Sequence, residues 1–281
     1  MKKHTLTLIL VLLYCHLQAQ VPSQQSPPFS ASGYSVSAEN AAVVASNPSA
    51  LPFQEAPALL FVLHQPALLF PAAVLLAGYG TSLGGRNAVG GYVLQEHWAD
   101  FRRTEAAVSF AQAYARRFSM ALQLAYRSLS YSDAYYGRTQ GMDVSLSTYY
   151  HPQAPWRFGL VWNNPFGLPF WVAGAQREKI PSSFGVGGSY RWSEYWMTCF
   201  EYRKTAALPA SVHVGLEAHP FARVQIRTGF EMPFAKADFG IACALPFCWC
   251  GLAYTYHPLT GSSIALSLSD FHHSKQSGGR K

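Results

Sequence analysis

The sequence predicts an all-β protein, a transmembrane antiparallel β-barrel of about 14 strands with a short N-terminal plug segment. Charged residues make up only 12% of the 281 residues, whereas hydrophobic residues make up 49% and aromatic residues 15%. An ordinary soluble domain has about 25% charged residues, so this chain has few side chains with which to cover a water-facing surface. Successive segments alternate between apolar and small or polar residues with a period of two, which is the period of a strand.

The first 19 residues have the pattern of an export signal. A short positive stretch, Met1–His4, precedes an apolar run over Leu6–Tyr14, and Leu17-Gln18-Ala19 is an acceptable cleavage site. The apolar run is too short to span a bilayer, which takes about 20 residues. The predicted organisation is therefore a signal peptide over 1–19, a plug segment over 20–56, a barrel over 57–271 and a polar basic tail over 272–281.

The formal net charge of +7 does not indicate a polyanion partner. Five of the 21 Lys and Arg residues lie at the two chain ends, which leaves 16 basic residues against 14 acidic ones in the body of the chain. No basic cluster with interleaved aromatic residues remains to follow a phosphate backbone. We expect no nucleic-acid partner.

Residues 56–80 are almost wholly apolar and have two interpretations. A transmembrane helix is one, but Pro57, Pro66 and Pro71 would break it repeatedly. Two strands, over about 58–64 and 72–81, fit the prolines better.

The rest of the chain divides into strands of about ten residues, the length that a transmembrane β-strand needs. In 142–150 the residues Met142, Val144 and Leu146 share one face, and turn sequences rich in proline separate such segments. The predicted strands are 58–64, 72–81, 87–95, 104–113, 118–130, 142–151, 155–163, 183–191, 195–204, 210–218, 222–231, 237–245, 248–257 and 262–271.

A secreted soluble β-sandwich is the competing fold, since its strands alternate as well. The water-facing side of a sandwich is rich in Lys, Glu and Thr. Here the non-apolar faces carry mostly small residues, such as Gly185, Gly187 and Ser267, with sparse charges between them. Small residues with scattered opposite charges suit the interior of a narrow barrel, and aromatic residues near the strand ends suit a bilayer interface.

The charged residues of the non-apolar faces are the candidates for a polar network in the lumen. They are Asp143, Arg157, Arg191, Glu201, Arg203, His213, Glu217, Arg223 and Arg227. No nucleophile motif, zinc motif or phosphate-binding loop is present. We therefore expect no catalytic residue, no metal, no cofactor and no enzyme activity.

Four cysteines follow the signal peptide, namely Cys199, Cys243, Cys248 and Cys250. The simplest interpretation makes them small buried or lipid-facing residues. The alternative is a disulfide from Cys243 to Cys248 or to Cys250 across a hairpin, and the spacing does not suit zinc.

The segment Asn47-Pro48-Ser49-Ala50-Leu51 resembles the NPA motif of the FadL-like superfamily of outer-membrane barrels, the long-chain fatty-acid transporters. The strands His213–Glu217, Val224–Phe230 and Gly251–His257 resemble its PorV/PorQ-like branch, found in Bacteroidetes-type bacteria. The resemblance implies a 14-stranded barrel in the outer membrane, with Asn47, Pro48 and Leu51 as the plug motif.

Members of this superfamily either pass hydrophobic molecules through the outer membrane or serve as accessory barrels in type IX secretion. The resemblance thus implies a PorV-like accessory or structural barrel, with a FadL-like passive transporter of hydrophobic small molecules as the alternative. Six arginines are expected in the lumen, Arg127 and the five named above, and they mildly favour the accessory role. The expected partners are outer-membrane lipid and either other envelope or secretion proteins or a hydrophobic small molecule. The chain departs from the pattern in its short loops and in the phase of Phe271.

Overall fold

The computed structural model describes residues 41–66, 72–132, 138–152, 155–169, 171–172, 180–206, 208–258 and 261–269. The predicted signal peptide, Phe271 and the basic tail lie outside the described residues. No helix in the described part of the chain is long and apolar enough to cross a membrane.

Two short helices precede the strands. Helix α1 spans Val43–Ser46 and a 3-10 helix spans Pro48–Phe53. Fifteen strands follow: β1 Ala58–Gln65, β2 Ala73–Ser82, β3 Asn87–His97, β4 Phe101–Ala115, β5 Phe118–Tyr131, β6 Arg138–Tyr150, β7 Trp156–Asn163, β8 Trp171–Val172, β9 Ser183–Arg191, β10 Trp196–Thr205, β11 Ser211–Phe221, β12 Val224–Met232, β13 Lys236–Ala244, β14 Trp249–His257 and β15 Gly261–Ser269.

The sheet closes on itself as an antiparallel barrel. Each long strand pairs with its neighbour in sequence, β7 pairs with β9, and β1 pairs with β15, for example Leu60 opposite Ser269. The two-residue β8 pairs only with the end of β6 and stands outside the ring, which leaves fourteen strands in the barrel. The predicted fold class is confirmed, and the sandwich alternative is excluded because a closed sheet has no second layer.

The apolar stretch at 56–80 forms β1 and β2, a hairpin rather than a helix. Val62 lies opposite Leu76, and residues on both strands alternate between buried and exposed positions. Prolines at either end of these strands leave the ladder hydrogen bonds intact. The two-strand interpretation is therefore the correct one.

The outer surface of the barrel is apolar. Exposed side chains such as Val108, Phe200 and Leu266 project from the strands, and the inward positions between them hold small or polar residues. Exposed aromatic residues form a girdle at each end of the barrel. One girdle includes Tyr114, Tyr150, Trp156 and Trp196, and the other includes Trp162, Tyr202, Tyr254 and Tyr256.

The two ends of the barrel differ in their connections. At one end, here called the turn end, the connections are short and include 116–117 and 222–223. The described chain also enters and leaves the barrel at this end. The opposite end, here called the loop end, carries the longest connection, residues 164–182.

Candidate binding site in the barrel lumen

Residues 41–53, here called the plug, lie inside the barrel against β2 to β6. Asn47 is fully buried, and its side-chain amide donates to the backbone oxygen of Thr148 at 3.2 Å and accepts from the Ser49 hydroxyl. Ser119 on β5 donates to the backbone oxygen of Ser49 at 2.5 Å. Pro48 begins the 3-10 helix, where its missing N–H is not needed. The Asn-Pro-Ser sequence therefore ties the plug to the wall by polar contacts.

Leu51 supplies the apolar contact of the plug. Its side chain is fully buried and lies over two glycines of the wall, Gly80 on β2 and Gly90 on β3. A Cβ at Gly80 would stand 2.6 Å from Leu51 Cδ2, and one at Gly90 would stand 2.8 Å from Leu51 Cδ1. The two glycines are thus required by the close approach of the plug.

The plug also reaches the turn between β6 and β7. The Phe53 ring makes an edge contact with His151, with ring centroids 4.6 Å apart, and lies 5.7 Å from Tyr149. Burial, together with the positive charges of Arg157 and Arg117, lowers the pKa of His151 from its ordinary value. A neutral imidazole is thus favoured next to the phenyl ring.

A cavity of about 150 Å³ lies in the lumen between the plug and the loop end. Ala45, Ser46 and Pro48 of the plug close it on the turn-end side. One wall is apolar and is formed by Val74 and Leu76 on β2 and by Leu94 on β3. The rest of the lining is mostly polar, with Val161 next to Ser147, and it includes Gln123, Ser145, Ser147, Arg103, Glu105, Arg127 and Arg203.

The charged part of this cavity is an ion-pair cluster on β3 to β6. Glu105 is its centre, because Arg103 donates to it at 2.6 Å and Arg127 Nε lies 3.1 Å from it. Arg127 Nε also lies 3.1 Å from Asp143, and Tyr92 donates its hydroxyl proton to Glu105 at 2.5 Å. Asp143 and Arg127 are thus the members of this cluster that the polar pattern of the sequence placed in the lumen.

Other predicted lumen residues lie on β10 and β11, away from this cluster. Arg203 donates to Glu201 at 2.6 Å. His213 Nε2 lies 3.0 Å from Glu231 and 3.5 Å from the Ser211 hydroxyl. Since both groups approach the same ring nitrogen, this arrangement is not a relay from a carboxylate through histidine to a nucleophile.

A third group lies in the lumen towards the turn end. Arg227 Nε lies 3.1 Å from Glu217, and the same carboxylate is 2.8 Å from His219. Arg157 and Arg191 lie at this end on β7 and β9. The predicted residues thus form separate groups rather than one continuous network.

Arg223 differs from the prediction. It lies in the turn 222–223 between β11 and β12 and is exposed. The alternating pattern placed Arg223 on the same face as Arg227. Strand β12 begins only at Val224, however, so the alternation does not apply to residue 223. It is not part of the described ion pairs.

Sequence reasoning missed Tyr92, Glu96, Arg103 and Glu105. Their signal was present, since Arg103 and Glu105 are in phase with the small residues Ala107 and Ser109 along β4. What the sequence does not show is the register that sets Glu105 opposite Arg127.

None of the four described cysteines forms a disulfide. Cys243 and Cys250 are register partners on the outer face of β13 and β14, and Cys248 is buried in the turn between these strands. Burial, with a smaller effect from Cys250, raises the pKa of the Cys248 thiol. The structure therefore agrees with the simpler interpretation of these residues.

The closed ring of fourteen strands, with residues 41–53 folded into the lumen, defines an antiparallel β-barrel with an internal plug. No protein-family model matches the sequence. No curated protein sequence matches it either.

Solved structures share this fold. The monoaromatic hydrocarbon channel CymD has a TM-score of 0.63 at 16% identity, over 85% of this chain and 95% of CymD. The toluene transporter TodX of P. putida has a TM-score of 0.64 at 10% identity, over 89% of this chain and 100% of TodX. A FadL homologue of Pseudomonas aeruginosa has a TM-score of 0.60 at 10% identity, over 86% and 96% of the two chains. The likeness is one of fold.

Proposed function

We propose that this protein is an outer-membrane channel that lets small hydrophobic molecules pass through its lumen. The observation that carries the proposal is the cavity above the plug, which has an apolar wall formed by Val74 and Leu76 on β2 and by Leu94 on the neighbouring β3. An interior filled throughout by ion pairs would hold no such wall.

The size of the cavity supports a small ligand. At about 150 Å³ it matches the volume of an engineered apolar cavity, of about 150 Å³, that binds benzene in another protein. Transfer of a hydrocarbon to an apolar wall is favourable by about 25 cal/mol per Å² of buried apolar area. The named hydrocarbon channel and toluene transporter that share the fold agree with such a ligand.

The ion pairs of the lumen are compatible with this function because they are locally compensated. Arg103 and Arg127 both contact Glu105, so their charges face a carboxylate rather than the apolar wall. Such pairs are expensive to separate in a dry interior. They hold the strands together beside the cavity without filling it.

The orientation of the barrel follows from its two ends. Outer-membrane barrels have short periplasmic turns and longer external loops. The turn end, with its two-residue connections 116–117 and 222–223, is then periplasmic, and the plug closes the lumen on that side. A ligand entering from the loop end reaches the cavity before it reaches the plug.

The test is uptake by cells that make the full chain in their outer membrane. The host lacks a hydrocarbon channel of its own, and radiolabelled toluene is the probe. Val161→Trp places an indole in the cavity and should reduce uptake to the level of cells without the protein. The matched control is Leu160→Trp, because residue 160 is the neighbour on β7 with its side chain on the outer face.

Correct folding of both variants is checked by heat-modifiable migration on an SDS gel. Equal uptake by the two tryptophan variants, with both barrels folded, would show that the cavity is not on the path. Uptake no higher than in cells without the protein, even for the unmodified chain, would refute the channel.

A PorV-like accessory barrel remains the second candidate. The observation that favours it is the ion-paired wall of β10 to β14, where Glu231 meets His213 and Lys236. The cavity beside the plug fits the transporter alternative better. Co-purification with secretion proteins, together with a defect in protein secretion after deletion, would favour the accessory role.

A further inference from the structure

The outer face of β3 to β6 carries a row of basic residues at the loop end. His97 lies opposite Arg102, Arg102 opposite Ser130, and Ser130 opposite Arg138, so the four positions form one line across the strands. His97, Arg102 and Arg138 are exposed. Their sequence neighbours Glu96 and Arg103 face the lumen, which puts the basic row on the lipid side.

A row of neutral polar residues lies next to it, towards the middle of the membrane. Gln95, Thr104, Ser128 and Gln140 are register partners on the same four strands. The Tyr126 hydroxyl donates to the Gln140 side chain at 2.9 Å and marks the start of the aromatic belt. Two amides and two hydroxyls thus face the interface region of the bilayer.

An apolar groove continues below the polar row, on the outer face of β1 to β6. Its upper line of register partners is Phe61, Ala77, Val93, Ala106, Tyr126 and Met142. Its floor is low because Ala77, Gly91 and Ala106 are small, whereas Tyr79 and Val108 stand 50% and 64% exposed beside them. The groove is therefore wide and shallow enough for a hydrocarbon chain.

The two arginines of the basic row are held by neutral groups. Arg102 Nε donates at 2.8 Å to the side-chain amide oxygen of Gln95, and Arg138 Nε donates at 3.0 Å to the Ser128 hydroxyl. No carboxylate lies within 4.0 Å of either guanidinium among the described residues, and this includes Asp100 in the adjacent β3–β4 turn. Within the described part of the chain, each guanidinium is thus positioned by a neutral group and meets no carboxylate.

The basic row lies at the depth of lipid headgroups. On β4 the outer face is apolar from Phe110 to Ala106, with Gln112 and Tyr114 nearer the turn end, and Arg102 is four residues beyond Ala106, about 13 Å along the strand. The opposite wall has a different pattern, since apolar and aromatic residues extend to Tyr202, Met232 and Tyr256, and the single exposed Lys204 follows on β10. The succession of basic, polar and apolar rows is therefore a property of one side of the barrel.

We propose that this surface binds a phosphate-bearing glycolipid of the outer leaflet. The phosphate lies between the guanidiniums of Arg102 and Arg138, whose backbone positions are two strands, about 10 Å, apart. Sugar hydroxyls and amides contact the polar row, and one acyl chain lies in the groove over Ala106. The inference is independent of what passes through the lumen.

The test is a lipid titration of the purified full chain in detergent, followed by native mass spectrometry. The probes are phosphorylated lipid A, the same lipid A after removal of its phosphates, and phosphatidylglycerol. We expect phosphorylated lipid A to bind most tightly. Arg102→Gln and Arg138→Gln should each weaken its binding about tenfold, since each removes a charge-assisted phosphate contact.

Arg86→Gln is the matched control, because Arg86 is an exposed arginine at the turn end, and it should leave the affinity unchanged. Ala106→Phe fills the floor of the groove and should also weaken binding. Each variant is first shown to be a folded barrel by heat-modifiable migration. Equal affinity for dephosphorylated lipid A, or for phosphatidylglycerol, would overturn the proposal, and so would an effect of Arg86→Gln as large as that of Arg102→Gln.

Discussion

The two sides of the barrel lumen are filled in different ways. Beside β2 to β6 the space is taken by the plug, whose apolar residues Val43, Val44 and Leu51 rest on glycine and alanine of the wall. Beside β10 to β14 the space is filled by side chains of the wall itself, namely Glu201, His213, Glu217 and their partners. Apolar contact leaves room for a cavity next to the plug, whereas paired charges close the lumen on their own side.

The largest expected effect concerns the cluster around Glu105. This cluster consists of paired charges although it lies on the plug side of the lumen, where the other contacts are apolar. Glu105→Gln removes the carboxylate that two buried arginines share. Loss of one partner from a buried ion pair destabilises a protein by about 3–5 kcal/mol. The measurement is the free energy of unfolding in urea, followed by heat-modifiable migration.

The comparison on the other side is Glu217→Gln, which removes the carboxylate that Arg227 and the partly exposed His219 contact. We expect a loss about half as large. Glu194→Gln, in an exposed turn, serves as the control. Equal losses at 105 and 217 would show that the two sides do not differ in how their charges are held.

The second-largest effect concerns the apolar contact between Leu51 of the plug and the glycines Gly80 and Gly90 of the wall. Gly80→Leu places a side chain where Leu51 now lies and should displace the plug, at a stability loss of about 1–3 kcal/mol. Protease cleavage of the plug, and the entry of small antibiotics into cells, should both rise. Tyr79→Leu, on the outer face of the same strand, is the control. A plug as protected in Gly80→Leu as in the control would mean that the glycine contact does not hold it.

A smaller effect is expected from pH at the contact between Phe53 and His151. Burial and nearby arginines lower the pKa of His151 in the folded protein. Its neutral form is therefore favoured by folding, and this contribution is present above the ordinary histidine value of about 6.5 and is lost as the pH falls below it. Thermal stability between pH 8 and pH 5 should fall further for the unmodified chain than for His151→Gln. An identical fall in both chains would show that His151 does not contribute to the pH dependence of thermal stability.

The smallest effect is expected at the lipid-facing cysteines. Replacing Cys243 and Cys250 by alanine should change stability by less than about 0.5 kcal/mol, because both are free thiols on the outer face of the ion-paired side. Gel migration of the unmodified chain should be the same with and without reductant. A reductant-dependent shift would instead establish the cross-strand disulfide.

Much of the fold follows from the sequence because a barrel imposes one period on every strand. Alternation at Met142, Val144 and Leu146 suffices to assign an outer face, and it does so for each strand in turn. Arg223 marks the limit of that reasoning, since the phase of a strand has no meaning in the turn beside it. Strand ends depend on turn geometry, which the pattern does not contain.

The site is less predictable than the wall. The Asn47-Pro48-Leu51 motif indicates a plug, but the glycines that receive Leu51 lie on β2 and β3 and are selected by tertiary contact. The Glu105 cluster likewise needs the cross-strand register. The number of arginines in the sequence favoured the accessory role, but that prediction uses charge alone. Whether a cavity remains in the lumen depends on where the charges are paired.

The pairing of β1 with β15 has a consequence for how the molecule is made. Leu60 and Ser269 lie near opposite ends of the described chain, so their contact requires the longest closure in the ring, and closure entropy grows with chain separation. The plug and the strands that hold it, by contrast, are contiguous within residues 41–150. We therefore expect the plug to bind to a partly formed sheet before β1 pairs with β15. Leu63 and Leu266 are outward-facing register partners on these two strands. Cysteines introduced at both positions should form a cross-link only after the plug has become protected from protease.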